Sequence, residues 1–262
     1  MAFYQADFSH IARFNSQTSD EFLQAYDAYV DAQITKKSSE VRGRTFAPSS
    51  MRCQRQSWFK LRGVQPDVPD VPDRTTNFTA QIGTACHEII QKNLSELYGE
   101  NWIDVEEYVK QANLPYEEVK CVKKGYETLI EIINPPVKFA CDGIIRINGV
   151  YYLLEIKTSE YSSFDKLTNP KDHHIAQIKT YGSLLNISKA LVLYQERQYG
   201  GTKCFELEID SLQMKEVIDG MKYVMDMVEA NIAPPGLPSG DSWCTPSMCH
   251  YYKKCQEYGR YS

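Results

Sequence analysis

A mixed α/β fold with a helical N-terminal half is what this sequence predicts, on three observations. Helical periodicity dominates the first 130 or so residues, a dense strand signal occupies Lys138 to Glu160, and helix, strand, strand and helix follow it. No glycine-rich phosphate loop follows any of these strands, which excludes a doubly wound dinucleotide fold. The 262 residues hold one large domain or two small ones, and 42% hydrophobic with 24% charged residues is a globular composition.

The first element, Thr18 to about Ile34, opens with Thr18 and Glu21 at capping-box spacing and places Phe22, Tyr26 and Val30 on one face, a packing stripe. A second helix runs from Ser50 to about Lys60 and carries Cys53. Pro66 to Asp73, PDVPDVPD, has proline every third residue and reads as an extended surface connector. Thr79 to Tyr98 is helical again, with Ile82, Cys86, Ile89, Ile90 and Leu94 as its apolar stripe and His87 within it. Tyr116 to Ile133 is expected to be helical, stopped by Asn134-Pro135-Pro136.

The next stretch, KFACDGIIRINGVYYLLEIKTSE, reads as a β-hairpin turning at Asn148-Gly149. A two-residue turn fixes the register: Ile147 faces Val150, Ile145 faces Tyr152, and Asp142 lies across from Glu155. Lys157 shares the face of Glu155. Opposed carboxylates have Cβ atoms roughly 5 Å apart and repel unless a positive charge stands between them. Because Tyr151 to Ile156 is otherwise apolar or aromatic, like a buried central strand, these charges need partners, and a divalent cation supplies one. Beyond the hairpin come a helix from His173 to Leu185, strands at Ala190 to Tyr194 and Lys203 to Ile209, and a helix from Ser211 to Ala230 that runs into PPGLPSG. There is no internal repeat.

Eight cysteines fall into two sets. Cys86, Cys121, Cys141 and Cys204 stand in apolar or strand-like surroundings, as buried small hydrophobes do. Cys244, Cys249 and Cys255 crowd the tail WCTPSMCHYYKKC, with four and five residues between neighbours. No stretch is long and apolar enough to span a membrane, and the first residues lack a secretory pattern, so a cytoplasmic protein is expected. In that compartment such crowding favours a metal over disulfides. Three thiolates require a fourth ligand, either His250, completing a zinc site, or the distant Cys53; four thiolates suit zinc or an iron-sulfur cluster alike. The net charge of −5 is low for a broad nucleic-acid surface, while Arg42, Arg44, Arg52, Arg55, Lys60 and Arg62 form a candidate local basic groove.

Taken together, Ser49-Ser50 and Cys53, Gly83-x-x-x-His87, Asp142, Glu155-x-Lys157, Gln177-x-x-x-Tyr181 and the three late cysteines resemble the RecB-like branch of the PD-(D/E)XK nucleases. They are similar in particular to its CRISPR-associated and AddB-type iron-sulfur exonucleases. The pattern spans Ser49 to Tyr258; it departs from the family in having four rather than two residues between Cys244 and Cys249.

The resemblance implies a restriction-endonuclease-like core, a central mixed sheet flanked by helices, over residues 46–262, after a helical segment at 1–45. It implies magnesium or manganese held by His87, Asp142, Glu155 and the carbonyl of Ile156. Lys157 would stand beside the attacking water, and Gln177 and Tyr181 would hold the lysine, the nucleophile or the phosphate. A structural [4Fe-4S] cluster on Cys53, Cys244, Cys249 and Cys255 would join the 240–258 tail to the early helix, with zinc as the alternative metal. The implied activity is exonucleolytic hydrolysis at single-stranded DNA ends. A structure-specific or double-strand endonuclease, a catalytically silent DNA-binding or assembly module, and a zinc-binding adaptor are the other readings. No helicase motif is present, so unwinding would come from a helicase or a recombination or replication partner.

Overall fold

The computed structural model describes residues 17–38, 43–48, 51–68, 71–238 and 240–258. Ser49-Ser50 and Arg42 lie outside them. The chain divides into two units, residues 1–42 with 70–78 and residues 43–69 with 79–262. In the first, α1 (Gln17–Ser38) begins before Thr18, so Thr18 sits inside the helix instead of capping it. Its expected packing face is open: Phe22 and Tyr26 are exposed and stack on each other. Arg74 ties the unit together through Asp27 at 2.7 Å and Asp31 at 3.0 Å.

The second unit is built on a five-stranded mixed sheet, order β1-β5-β6-β7-β8: β1 (Trp102–Ile103), β5 (Gly143–Ile147), β6 (Val150–Ser159), β7 (Lys189–Glu196) and β8 (Thr202–Glu208). The register of the hairpin is the one its turn dictates, with Ile147 opposite Val150 and Ile145 opposite Tyr152. Asn148 and Gly149 both take positive φ, 50° and 81°, as the primed turn requires. β6 is central, antiparallel to β5 and parallel to β7, and Leu153 to Ile156 are buried. Alternation sorts its side chains: Leu153 joins a core with Ile178, Leu184 and Val224, while Leu154 and Ile156 pack with Ile90, Leu94 and Tyr98. The sheet therefore lies between α3 (Arg74–Tyr98) on one face and α6 (Asp172–Leu185) with α7 (Ser211–Glu229) on the other, with α2 (Gln54–Leu61) against α7. No helix among the described residues is long and apolar enough to cross a membrane.

Two sequence expectations are corrected here. Tyr116 to Ile133 is not a helix but a hairpin of β2 (Val119–Lys124) and β3 (Glu127–Ile132), turning at Gly125 with φ 63°. The burial of Thr128, Ile130 and Ile132 has period two, the mark of a half-buried strand. The strand expected to run unbroken from Lys138 also divides: β4 (Val137–Cys141) pairs with β3 in a separate three-stranded sheet, and only β5 pairs with β6. Asp142 is the break between them. Short helices α4 (Val105–Gln111), α5 (Tyr161–Asp165) and α8 (Tyr252–Glu257) were not anticipated. Cys204, expected buried, is exposed because β8 is an edge strand with that face in solvent.

Of the expected basic groove, Arg55 is fully buried, Arg62 lies over the Trp58 ring at 4.9 Å, and Arg52 is paired with Asp241 at 3.2 Å. The connector PDVPDVPD is more than a spacer, because the Asp67 carboxylate accepts from the N–H groups of Lys253 and Lys254 at the start of α8. Tyr251 stacks on Phe59, and Tyr258 meets Trp58 and Phe59 edge-on, so the tail is folded back on α2.

α6 ends at Asn186 in the left-handed conformation, with the Ile187 N–H returning to the Gly182 carbonyl at 2.9 Å. A Cβ on Gly182 would stand 2.6 Å from the Ile187 carbonyl oxygen and 2.5 Å from Ile209 Cδ1. Gly182→Ala is therefore expected to lower stability by about 1–3 kcal/mol in urea unfolding. An unchanged midpoint would mean that the turn into β7 yields freely.

Candidate active site

Asp142 stands where two antiparallel ladders run out. Continuing the β5–β6 register places Glu155 opposite it, and continuing the β3–β4 register places Glu127 opposite it. Backbone pairing alone thus delivers three carboxylates to one place. α3 clamps the aspartate at two points one helical turn apart: His87 Nδ1 lies 3.5 Å from Asp142 Oδ1, and buried Gln91 donates to the Asp142 carbonyl at 2.7 Å. Asp142 Oδ2 accepts from the Ile156 N–H at 2.7 Å. Gly83, the other member of the helix motif, faces Thr158 with room for a Cβ, at 3.5 Å from its hydroxyl.

On the adjoining side, Lys157 Nζ is 2.5 Å from Glu155 Oε1 and donates to Gln177 Oε1 at 3.1 Å, and Gln177 Nε2 donates to the Tyr181 hydroxyl at 2.8 Å. Tyr181 is itself anchored by stacking on Phe139, centroids 4.6 Å apart. Burial, then the Glu155 charge, drives its phenol pKa far upward, and the neutral hydroxyl serves to fix Gln177.

The electrostatics are those of crowded anions. Burial first, then the Asp142 charge, push Glu155 up to about 7 against the opposing pull of Lys157. Glu127 is raised by burial and by Asp142. For His87, burial pulls the imidazole down, but hydrogen bonding and attraction to Asp142 outweigh it and leave the pKa raised.

Ligand atoms of His87, Glu127 and Asp142 lie within 4.8 Å of one another, the one such triad among the described residues. The sequence reading named His87 and Asp142 but used Glu155 in place of Glu127. Glu155 Oε1 is taken by Lys157, and its Oε2 is buried with no hydrogen-bond partner. A buried oxygen without a donor, beside two further carboxylates and an imidazole, is a donor set that fits a hard divalent cation such as magnesium or manganese. Glu127 was missed because its segment was read as helical; the alternation of β3 and the register back from Cys141 would have found it. Gln91 carried a weaker signal, one turn beyond His87.

A second constellation forms where the tail meets α2. Cys53 is the N-terminal flanking residue of α2, and its thiol is raised by burial and, to a lesser degree, by Cys255. Burial likewise raises Cys249, on which Cys53, Cys244 and Cys255 all act electrostatically. All four are free thiols. His250, the other candidate ligand, is exposed. Thiolate sulfur is the donor type that zinc and iron-sulfur clusters take, but these thiols form no group of three or more whose ligand atoms lie within 4.8 Å of one another. His173 and His174 pack, the first against Trp243 and the second with Nδ1 2.6 Å from the Tyr194 hydroxyl.

No protein-family model matches the sequence, and neither does any curated protein. Similar solved structures include the following three. SSO0001 is 17% identical with a TM-score of 0.42, over 78% of this chain and 86% of that one. LHK-Exo in complex with dAMP is 15% identical with a TM-score of 0.43, over 68% and 78%. An alkaline exonuclease, LHK-Exo from Laribacter hongkongensis, is 14% identical with a TM-score of 0.39, over 75% and 93%.

Because Glu155 titrates near 7 in the fold and near 4.5 when unfolded, the folded state holds its proton more tightly, and stability is lost as pH rises between those values. In metal-free protein, Glu155→Gln is expected to be the more stable form above pH 7, by on the order of 2 kcal/mol, with the difference gone below about pH 4.5. Chemical unfolding in chelator across this range checks it; a difference independent of pH would refute the electrostatic cause.

Proposed function

We propose that this chain is a metal-dependent deoxyribonuclease of the PD-(D/E)XK type, RecB-like, that hydrolyses phosphodiester bonds as an exonuclease at single-stranded DNA ends. The observation that carries the reading is the in-register convergence of Asp142, Glu155 and Lys157, with Glu155 Oε2 buried and unpartnered. Magnesium or manganese held by His87, Glu127, Asp142 and Glu155 would polarise the scissile phosphate and stabilise the departing oxygen.

The chain's own groups do the rest. Lys157 brings a positive charge to the carboxylate edge, where it orients the attacking water and offsets the negative charge that develops on the phosphate. Gln177 holds the ammonium in place and Tyr181 holds Gln177, so the lysine spends no binding energy on ordering itself. Gln91 and the Ile156 N–H fix the aspartate from main chain and side chain, limiting its rotation.

Cleavage of end-labelled linear single-stranded DNA beside its circular form, with manganese, tests the proposal. Loss of the linear strand alone, reduced at least about 100-fold in Lys157→Ala, is the expected result. Cutting of both forms would make the protein an endonuclease. Cutting of neither would leave a DNA-binding module.

For the thiol constellation we propose a structural [4Fe-4S] cluster on Cys53, Cys244, Cys249 and Cys255, a reading supported by the fold-back of the tail on α2, where Tyr251 stacks on Phe59 and Arg55 NH1 lies 3.8 Å from Cys255 Sγ. Such a centre closes a loop of about two hundred residues, which restricts the unfolded chain. Anaerobically purified Cys53→Ala should lose its iron and visible absorbance together with solubility. A variant that keeps the full chromophore would remove Cys53 from the ligand set, and stoichiometric zinc in the wild type would replace the cluster altogether.

A further inference from the structure

Among the described members of the basic run, Arg55 is the one that is wholly buried, at 0% exposure. It lies in the first turn of α2, two residues after Cys53. Its Nε donates to the Pro234 carbonyl at 2.6 Å, in the segment that leads from α7 to the tail, and its NH1 lies 3.8 Å from Cys255 Sγ. The guanidinium therefore sits between the two chain segments that bring the thiols together. Arginine does not deprotonate in proteins, and removing its charge from water costs several kcal/mol unless an anion answers it. Cysteine ligands to a metal centre are bound as thiolates, so a centre on these residues would bring negative charge to the guanidinium.

We infer that Arg55 is the counter-charge of the four-cysteine centre, a built-in cation that stabilises its thiolates and raises its reduction potential. The inference rests on the iron-sulfur reading above. Four thiolates outweigh the positive charge of an iron-sulfur core, so the centre is net anionic and becomes more so on one-electron reduction. A fixed guanidinium donating to one ligand sulfur stabilises both states and the reduced state more; hydrogen bonds to sulfur and nearby charge are recognised levers on cluster potential. The same geometry explains why a residue that reads in the sequence as part of a phosphate-binding run is withdrawn from the surface. Arg55 is a positioning and charge-balancing residue here, with no contact to substrate implied.

The test uses the full chain purified without oxygen, as wild type, Arg55→Met and Arg55→Lys, with iron content, visible absorbance and the midpoint of reductive titration as readouts. Arg55→Met is expected to shift the one-electron equilibrium at least tenfold against reduction, about 59 mV towards lower potential, and to bleach faster in air. Arg55→Lys is expected to stay within threefold of the wild type. A fully loaded Arg55→Met with an unchanged midpoint overturns the inference while leaving the cluster in place. Equal shifts in both variants overturn it too, because shape rather than charge would then be the cause. Should Arg55→Met be insoluble, Arg55→Lys decides: a retained midpoint supports the counter-charge, and a lost cluster refutes it. Zinc or no metal in the wild type refutes the cluster reading and this inference with it, independently of nuclease activity.

Discussion

Asp142 holds a charge at the point where two β-ladders from different sheets meet, and most of the second unit can be understood as the means of keeping it there. Its position between β4 and β5 makes it the shared end of both registers, so that Glu127 and Glu155 are set against it from opposite sides. The repulsion this creates is large because Asp142 and Glu155 are 5% and 2% exposed, where little solvent screens them. Neutral structure could not hold such a group. His87 and Lys157 supply partial compensation, Gln91 and the Ile156 N–H supply direction, and the unsatisfied Oε2 of Glu155 marks what the protein itself leaves unanswered. Natural folds tolerate conflicts of this kind chiefly where function needs them.

A buried charge of opposite sign stands beside the cysteines of the tail. There the Arg55 guanidinium is buried, with NH1 3.8 Å from Cys255 Sγ. Oxygen and imidazole donors favour hard divalent ions, whereas sulfur donors favour zinc or iron, so the two sets of side chains would draw different metals. The buried arginine also shows why net charge is a poor guide to a surface: a residue can count towards the basic total and contribute nothing to the field outside.

How far the site was legible depended on range. A two-residue turn at Asn148-Gly149 sets the β5–β6 register without help from tertiary structure, so Asp142 opposite Glu155, with Lys157 on the same face, followed from counting. Gln177 and Tyr181, four apart on α6, were likewise local. Glu127 was not, because its relation to Asp142 passes through a ladder between strands whose first member had been read as helix. Lys and Glu alternate with apolar residues in β2 and β3 in a way that also satisfies a helical stripe over short windows, and only pairing decides between them. The same limit explains the split of the long strand at Asp142, since nothing in KFACDGII says that its two halves belong to different sheets. Burial of Arg55 and the capping of α8 by Asp67 depend on contacts across almost two hundred residues, which no local pattern encodes.

The two centres lie in one packed unit, and the way they share it bears on what each is for. Trp243, next to Cys244, packs against His173 in the first turn of α6, and one turn later the same helix offers Gln177 to Lys157. The tail thus touches the helix that holds the lysine, yet the hold does not rest on the tail. Tyr181, which fixes Gln177, is stacked on Phe139 of β4 and buried within the sheet core, and the far end of α6 is locked by the Gly182 to Ile187 turn. A change confined to the tail would therefore leave the Lys157–Gln177–Tyr181 chain its anchor.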